Sequence, residues 1–251
     1  MKAHKSLSMM LAAAALLAFS APVIAANMDS RIATSAKDSY VFKTYLQGDD
    51  IKIQSRDGAV TLTGVVLEES HKSLAQETVT SLPGVKSVDN RLEVKGDIPS
   101  KNSDAWLTTK VKTTLLYHRS VSGASTKVDV KNGIVTLRGE AASQAQKDLT
   151  AEYAKDIEGV NGVNNEMTVT KTIKNKRTTG EKIDDASITA QVKMTLLYHR
   201  STSALNTKVE TKHGVVTLHG KAKNASEADL ATKFTNDVHG VKSVTNRMTI
   251  E

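Results

Sequence analysis

The sequence predicts an α+β protein built from three tandem copies of one small αββαβ module. Two repeated patterns lead to this prediction. The first, DGAVTLTG at 57–64, recurs in related form at 132–139 and 213–220. The second, LPGVKSVDN at 82–90, recurs at 157–165 and 238–246. The two patterns keep the same order and separation in every copy, and such long periods favour autonomous domains over the layers of one solenoid.

The first helix of the module is clearest in copies two and three. Asp104 and Asp184 are its N-cap candidates. Apolar residues spaced by four follow them and predict one buried helix face: Leu107, Val111 and Leu115, and then Ile188, Val192 and Leu196. Arg119 and Arg200 stand at the negative end of this helix, where a cation is favourable. Copy one has a different segment there, around Tyr40, Val41, Phe42 and Lys43.

A β-hairpin, a second helix and a last strand complete each copy. The hairpin turns at Asp57-Gly58, Asn132-Gly133 and His213-Gly214. A tight backbone position ends the second strand at Gly64, Gly139 and Gly220. The second helix has an inner stripe in each copy and ends at Gly84, Gly159 or Gly240; the stripes are Leu74, Thr78 and Leu82, then Leu149, Tyr153 and Ile157, then Leu230, Phe234 and Val238. Each copy is expected to form a three-stranded mixed sheet covered by two helices.

One asparagine lies on the apolar phase of each last strand: Asn90, Asn165 and Asn246. A polar side chain that is buried there needs hydrogen-bond partners. We therefore expect these amides to be structural and to bond to nearby loop backbone.

The N-terminal segment is typical of a secretory signal. Lys2 and Lys5 precede an apolar run from Leu7 to Phe19, and small residues near Ala25 and Ala26 suit cleavage. The run is short for a bilayer, so we expect no transmembrane span in the mature form and a periplasmic location. The chain has no cysteine, which excludes disulfides, thiol catalysis and a lipoprotein anchor.

These signals divide the chain into a signal peptide at 1–26 and domains at 27–97, 98–172 and 184–251, with a basic linker at 173–183. Removing Lys2 and Lys5 lowers the net charge from +7 to +5. That charge is too small and dispersed to indicate a nucleic-acid partner. Copy one is slightly acidic, whereas the rest of the chain is net basic.

The combined motifs resemble the BON domain: an amphipathic first helix, a Val-Thr-Leu-x-Gly second strand and a Gly-Val-x-x-Val-x-Asn ending. All three copies fit the pattern. The resemblance implies a non-enzymatic envelope-maintenance or osmotic-stress protein that binds phospholipid surfaces without a cofactor. The alternative that it implies is a chaperone-like or protein-interaction factor for exported envelope proteins.

Copies two and three share the segment TLLYHRS, at 114–120 and 195–201. Its histidines, His118 and His199, could suggest metal or acid–base chemistry, but no acidic or histidine partner stands at ligand spacing on the same helix. We therefore expect a helix-terminal surface cluster, with no catalytic residues and no metal site.

Membrane-surface binding is the more specific functional hypothesis, because cations on the first helices could meet lipid phosphates while a tyrosine lies at the interface. The candidate lipid-binding residues are Lys110, Lys112, Tyr117, Arg119, Lys193, Tyr198 and Arg200. A solvated helix face is the simpler interpretation of the same charges. The sequence leaves open which interpretation holds, how the three domains dock, and the oligomeric state.

Overall fold

A computed structural model describes residues 21–96, 99–170, 182–202 and 206–251, with side chains from residue 27 onward. The predicted signal peptide lies largely outside the described residues, as does most of the predicted linker. Within the described part of the chain, no helix is long and apolar enough to cross a membrane.

Three successive α+β modules are present, as predicted. Copy one contains α1 (Ala21–Asp38), α2 (Tyr40–Thr44), β1 (Asp50–Arg56), β2 (Ala59–Val66), α3 (Glu69–Thr80) and β3 (Ser87–Val94). Copy two contains α4 (Asp104–Tyr117), β4 (Lys127–Lys131), β5 (Ile134–Arg138), β6 (Glu140–Ala141), α5 (Gln144–Lys155), β7 (Gly162–Asn165) and β8 (Thr168–Val169). Copy three contains α6 (Asp185–Tyr198), β9 (Asn206–Lys212), β10 (Val215–Ala222), α7 (Ala225–Asn236) and β11 (Ser243–Ile250).

Each module has a mixed three-stranded sheet with the hairpin's second strand in the centre. The strand orders are β1-β2-β3, β4-β5-β7 and β9-β10-β11. The central strand is antiparallel to the strand before it and parallel to the last strand. Copy two alone adds a short parallel pair, β6 with β8, because its ladder is interrupted after Arg138.

The predicted helix stripes form the interior. Val111 and Val192 on the first helices are fully buried, and so are Ile157 and Val238 after the second helices. The prediction of Asp184 as an N-cap is confirmed, since its carboxylate accepts from the Ser187 amide at 2.9 Å. The prediction for Asp104 is wrong: Ser103 caps α4, and Asp104 occupies the first helical position.

Asp104 instead holds the hairpin turn of its own copy, and Asp29 and Asp185 do the same in theirs. Each carboxylate accepts both backbone N–H groups of the turn at 2.7–3.0 Å. The first turn residue of each copy has a positive φ, at Asp57, Asn132 and His213. Because few L-residues adopt that conformation readily, the carboxylate stabilises a turn that is otherwise costly.

The strand asparagines bond to the second helix. Asn90, Asn165 and Asn246 donate to main-chain carbonyls of Lys72, Lys147 and Ala228, at 3.1, 2.7 and 3.0 Å. Each amide oxygen also accepts the N–H two residues further along its own strand. The expected loop partner was therefore incorrect, but each side chain does join the last strand to a helix backbone.

The modules share their interiors. One apolar core runs through copies two and three, and a second combines copy one with Tyr117 and the face of α6 that carries Ala186, Ala190 and Met194. Copy one is also fixed to α6 by polar contacts. The Tyr40 N–H donates to Asp184 at 2.8 Å, and Lys193 pairs with Glu77 at 2.8 Å.

Candidate functional site

A buried cluster of two histidines and two aspartates joins copy two to copy three. The Nε2 atoms of His118 and His199 are 3.0 Å apart, and both side chains are fully buried. His118 Nδ1 lies 3.2 Å from Asp237 Oδ2, and His199 Nδ1 lies 3.1 Å from Asp156 Oδ2. We call these four residues the interdomain His–Asp cluster.

The cluster is built by exchange between the two copies. The histidine at the end of each first helix meets the aspartate at the end of the other copy's second helix. Main-chain bonds follow the same exchange, from the Arg119 N–H to the Asp237 carbonyl at 2.8 Å and from the Arg200 N–H to the Asp156 carbonyl at 2.6 Å. The arrangement is therefore close to twofold symmetric.

One position breaks this symmetry. Tyr153 stacks on His118 with ring centroids 4.0 Å apart, and Phe234 stacks on His199 at the same distance. The Tyr153 hydroxyl donates to Asp237 at 2.8 Å, an interaction that phenylalanine cannot make with Asp156. Asp237 thus has three side-chain donors, from His118, Ser120 and Tyr153, whereas Asp156 has two, from His199 and Ser201.

These donors determine the charges of the carboxylates. Burial alone would raise the pKa of Asp237, but the hydrogen bonds from His118, Ser120 and Tyr153 outweigh it and hold the pKa below its usual range. The pKa of Asp156 is lowered in the same way, against burial, by His199 and Ser201. Burial, followed by the Asp237 charge, raises the pKa of Tyr153 far above its usual range, so its hydroxyl stays a donor. Both carboxylates are therefore ionised acceptors at neutral pH.

The prediction of a surface cluster at TLLYHRS is wrong. His118 and His199 are buried because the partners missing from their own helices come from the other copy. Among the described residues, no group of three or more histidine, cysteine, aspartate or glutamate side chains could hold a metal ion.

The structure does not bring the seven candidate lipid-binding residues onto one surface. Lys110 and Tyr117 are only 7% and 2% exposed, which contradicts a membrane-facing role. The Lys110 ammonium lies 4.5 Å from the centre of the Trp106 ring and 5.3 Å from that of Tyr198, and burial, opposed by Glu158, lowers its pKa. Tyr117 is enclosed because copy one packs against it; its ring centroid is 5.4 Å from that of Tyr45.

The other candidates have different environments. Lys193 pairs with Glu77, while Arg119 and Arg200 donate across the interface to the carbonyls of Val241 and Lys155. Tyr198 is half-buried between copies, and Lys112 is exposed. Covering by a neighbouring module explains the burial of Lys110 and Tyr117, whereas Arg119 and Arg200 are exposed like Lys112. A lipid-binding role for Lys112, Arg119, Lys193, Tyr198 and Arg200 stays a prediction.

The comparisons with known proteins agree with this architecture. The BON domain profile matches residues 28–96, 103–171 and 184–251. This chain belongs to the BON-domain family. The first, second and third BON domains therefore correspond to copies one, two and three, and the sequence-based resemblance is confirmed.

Named relatives also carry BON-related sequence. The chain is 31% identical over 196 residues to osmotically-inducible protein Y of Escherichia coli K12, covering 78% of this chain and 95% of that protein. It is 32% identical over 115 residues to a 21 kDa hemolysin of Actinobacillus pleuropneumoniae, covering 45% and 59%. It is 34% identical over 113 residues to outer membrane lipoprotein DolP of Haemophilus influenzae, covering 45% and 56%.

Proposed function

We propose that this chain is a non-enzymatic periplasmic protein of envelope maintenance under osmotic stress, and that it binds anionic phospholipid surfaces through its third BON domain. The names of two relatives support the setting, since one is osmotically inducible and another is an outer membrane lipoprotein. The absence of cysteine means that this chain lacks the residue used for a lipoprotein anchor. Membrane contact would then depend on a reversible surface interaction.

The observation that carries this proposal is a basic sheet face on the third BON domain. Strand register places Lys208, His219 and Arg247 in one row across β9, β10 and β11. Lys212 and Lys221 lie on the same outward face, opposite the buried Val209, Val216 and Leu218. All four lysines and arginines of this face are exposed.

Glu210 is the one acidic residue on this face, and it pairs with Lys208 at 2.6 Å. That ion pair, together with the charges of His219 and Arg247, lowers the pKa of Glu210. The other cations, Lys212, Lys221 and Arg247, have no ion pair within the described part of the chain. They are therefore available to an external anion.

The outward sheet faces of the other domains are closer to neutral. The first domain places three basic and three acidic residues there: Lys52, Arg56, Arg91, Asp50, Asp89 and Glu93. In the second domain Arg138 is neutralised by Asp129 and Glu166, both at 2.7 Å. Its Lys127 and Lys131 are also exposed and have no ion pair among the residues described, so the second face has three basic and two acidic residues, whereas the third face has four lysines and arginines against Glu210 alone.

Vesicle binding tests the proposal. We expect the mature chain to co-sediment with phosphatidylglycerol vesicles at low salt, and to bind at least tenfold more weakly after Lys208, Lys212, Lys221 and Arg247 are all changed to Gln. Each basic residue near an anionic membrane is worth about 1 kcal/mol, and salt screens this attraction. Binding should therefore also fall at high salt and be absent from phosphatidylcholine vesicles.

The matched control changes four cations on the other sheet faces, Lys52, Arg56, Lys127 and Lys131, to Gln. It removes the same charge and should retain most of the binding. Equal losses in the two variants would show that net charge alone matters. Wild-type protein that binds neither vesicle would overturn the lipid proposal and favour the protein-interaction alternative.

A further inference from the structure

The proton count of the interdomain His–Asp cluster follows from its three contacts. Each nitrogen–oxygen contact joins a ring nitrogen to an ionised carboxylate, so that nitrogen must carry a proton. The nitrogen–nitrogen contact between His118 and His199 needs one donor and one acceptor. The two rings therefore hold three protons together, which makes the pair one imidazolium and one neutral imidazole.

Every other protonation state of the two histidines is less stable in this geometry. With four protons, two N–H groups would face each other across 3.0 Å, and two imidazolium rings would be buried side by side. With two protons, two lone pairs would oppose each other at the same distance. Because both rings are fully buried, water cannot separate these groups while the interface is closed.

The other titratable and charged groups near the two histidines come from the C-terminal ends of α4, α5, α6 and α7. Arg119 Nε, beyond α4, lies 3.8 Å from Asp237 Oδ1, and Arg200, beyond α6, donates to the Lys155 carbonyl. The end of α5 contributes Tyr153 and Asp156, and the end of α7 contributes Asp237 and His239. Burial lowers the pKa of His239, so it adds little charge near neutral pH. None of these groups offers an acceptor for a fourth proton between the two histidines.

We propose that the interdomain His–Asp cluster is an acid-sensitive switch, in which a fourth proton separates the second BON domain from the third. Opening would uncover apolar residues that now belong to a shared core, among them Ile157, Phe234 and Val238. The inference does not depend on lipid binding, since it concerns the contact between two domains of the same chain.

The direction of the pH effect follows from linkage. Burial, reinforced by His199 and opposed by Asp237, lowers the pKa of His118 in the closed form, whereas a histidine in the open form titrates near its ordinary value of about 6.5. The open form therefore binds more protons under acidic conditions. Closure is therefore strongest near pH 6.5. It weakens as the pH falls from there through the lowered pKa, by at most about tenfold in the open-to-closed ratio per pH unit for one proton. It also weakens at higher pH, because the closed pair keeps a third proton that the open histidines release.

Energy transfer between two labels tests the switch. The chain has no native cysteine, so cysteines introduced at Ala145 on α5 and Ser226 on α7, both exposed, can be labelled selectively. We expect transfer in the full mature chain to be highest near pH 6.5 and to fall between there and about pH 4.5. Far-UV circular dichroism over the same range should stay unchanged, because the domains separate without unfolding.

Two variants on the labelled background separate the cluster from other histidines. His118→Gln combined with His199→Gln should abolish the pH dependence, since glutamine does not titrate. His213→Gln removes a histidine from outside the interface and should behave as wild type. Constant transfer in wild type down to about pH 4.5, or the same acid response in the cluster variant, would overturn the proposal.

Nitrogen-15 NMR of the wild-type histidine rings provides a second test if the cluster variant does not fold. The fourth proton should bind to the His118 and His199 pair in the same pH interval in which transfer is lost. Two independent titrations near the ordinary histidine value, with transfer unchanged, would show that the switch is absent.

Discussion

Changing Asp237 to Ala is expected to lower the unfolding free energy of the joined second and third domains by about 3–5 kcal/mol at neutral pH, the usual cost of removing one partner from a buried pair. Asp237 is 8% exposed and is the shared acceptor for His118, Ser120 and Tyr153. Without it, an imidazole N–H and a phenol hydroxyl are left inside the core with no acceptor. Urea unfolding followed by the fluorescence of Trp106, the chain's single tryptophan, measures the loss as a lower midpoint.

Asp156 supplies a matched comparison within the same molecule. It holds the equivalent position opposite His199 but lacks the tyrosine donor, because Phe234 replaces Tyr153. Asp156→Ala should therefore cost less than Asp237→Ala, and Tyr153→Phe should remove about 1 kcal/mol of the difference. A double-mutant cycle between Tyr153 and Asp237 measures that coupling directly.

Equal losses from the two aspartate variants would contradict this account, as would additive effects of Tyr153→Phe and Asp237→Ala. Either result would mean that the hydroxyl–carboxylate bond contributes nothing to the interface.

The repeats made the fold predictable. The hairpin, the second helix and the last strand were each seen three times with different side chains, and the first helix twice, so the apolar positions common to the copies stood out from substitutions on the surface. The four-residue spacing of Leu107, Val111 and Leu115 reports burial within one module, and these residues are at most 1% exposed. The turn pairs and the glycines that end the second helices located the loops for the same local reason.

The interface was not predictable in this way, because its contacts join residues that are far apart in sequence. His118 and Asp237 are separated by 119 residues, and His199 and Asp156 by 43. Helical periodicity places Lys110 and Tyr117 away from their own core, and such a position is solvent-exposed only if no other module covers it. In this chain Tyr198 lies against Lys110, and Tyr45 lies against Tyr117.

The aspartates that hold the hairpin turns were missed although the sequence contained their signal. Asp29, Asp104 and Asp185 each stand 28 residues before the first residue of the turn in their copy. An N-cap interpretation explained Asp104 by itself and left this constant spacing unused. Repeats allow such distances to be compared between copies, which can reveal side chains that bond across a module.

Gly64→Ala is expected to cost the first domain about 3 kcal/mol or more, because it combines backbone strain with steric overlap. Gly64 lies within β2 at a φ of +120°, a conformation that residues with a Cβ rarely adopt. A Cβ built there would overlap the carbonyl oxygen of Asp50 on the neighbouring strand. Since that oxygen belongs to the sheet backbone, it cannot move aside without disturbing the β1–β2 pairing around Ile51.

Gly96→Ala measures the cost of backbone strain without the steric overlap of an added Cβ. Gly96 also has a positive φ, +79°, but a Cβ there would have no atom within 4 Å among the described residues, its chain neighbours apart. Its substitution should therefore cost only about 1 kcal/mol. For a domain of this size, the difference corresponds to a melting temperature lower by roughly 10 °C or more in Gly64→Ala than in Gly96→Ala.

Hydrogen exchange followed by mass spectrometry assigns the loss to one domain, which a global melting curve of a three-domain chain cannot do. Peptides from β1, β2 and β3 should lose protection in Gly64→Ala, while those from β4 and β5 change much less. The equivalent Gly139 leaves more room, since its Cβ would lie 2.7 Å from the Ser125 carbonyl oxygen, so Gly139→Ala should be the milder substitution. Similar protection in Gly64→Ala and Gly96→Ala would show that the sheet accommodates the methyl group, and the close approach of the two strands would then not be the reason for glycine at this position.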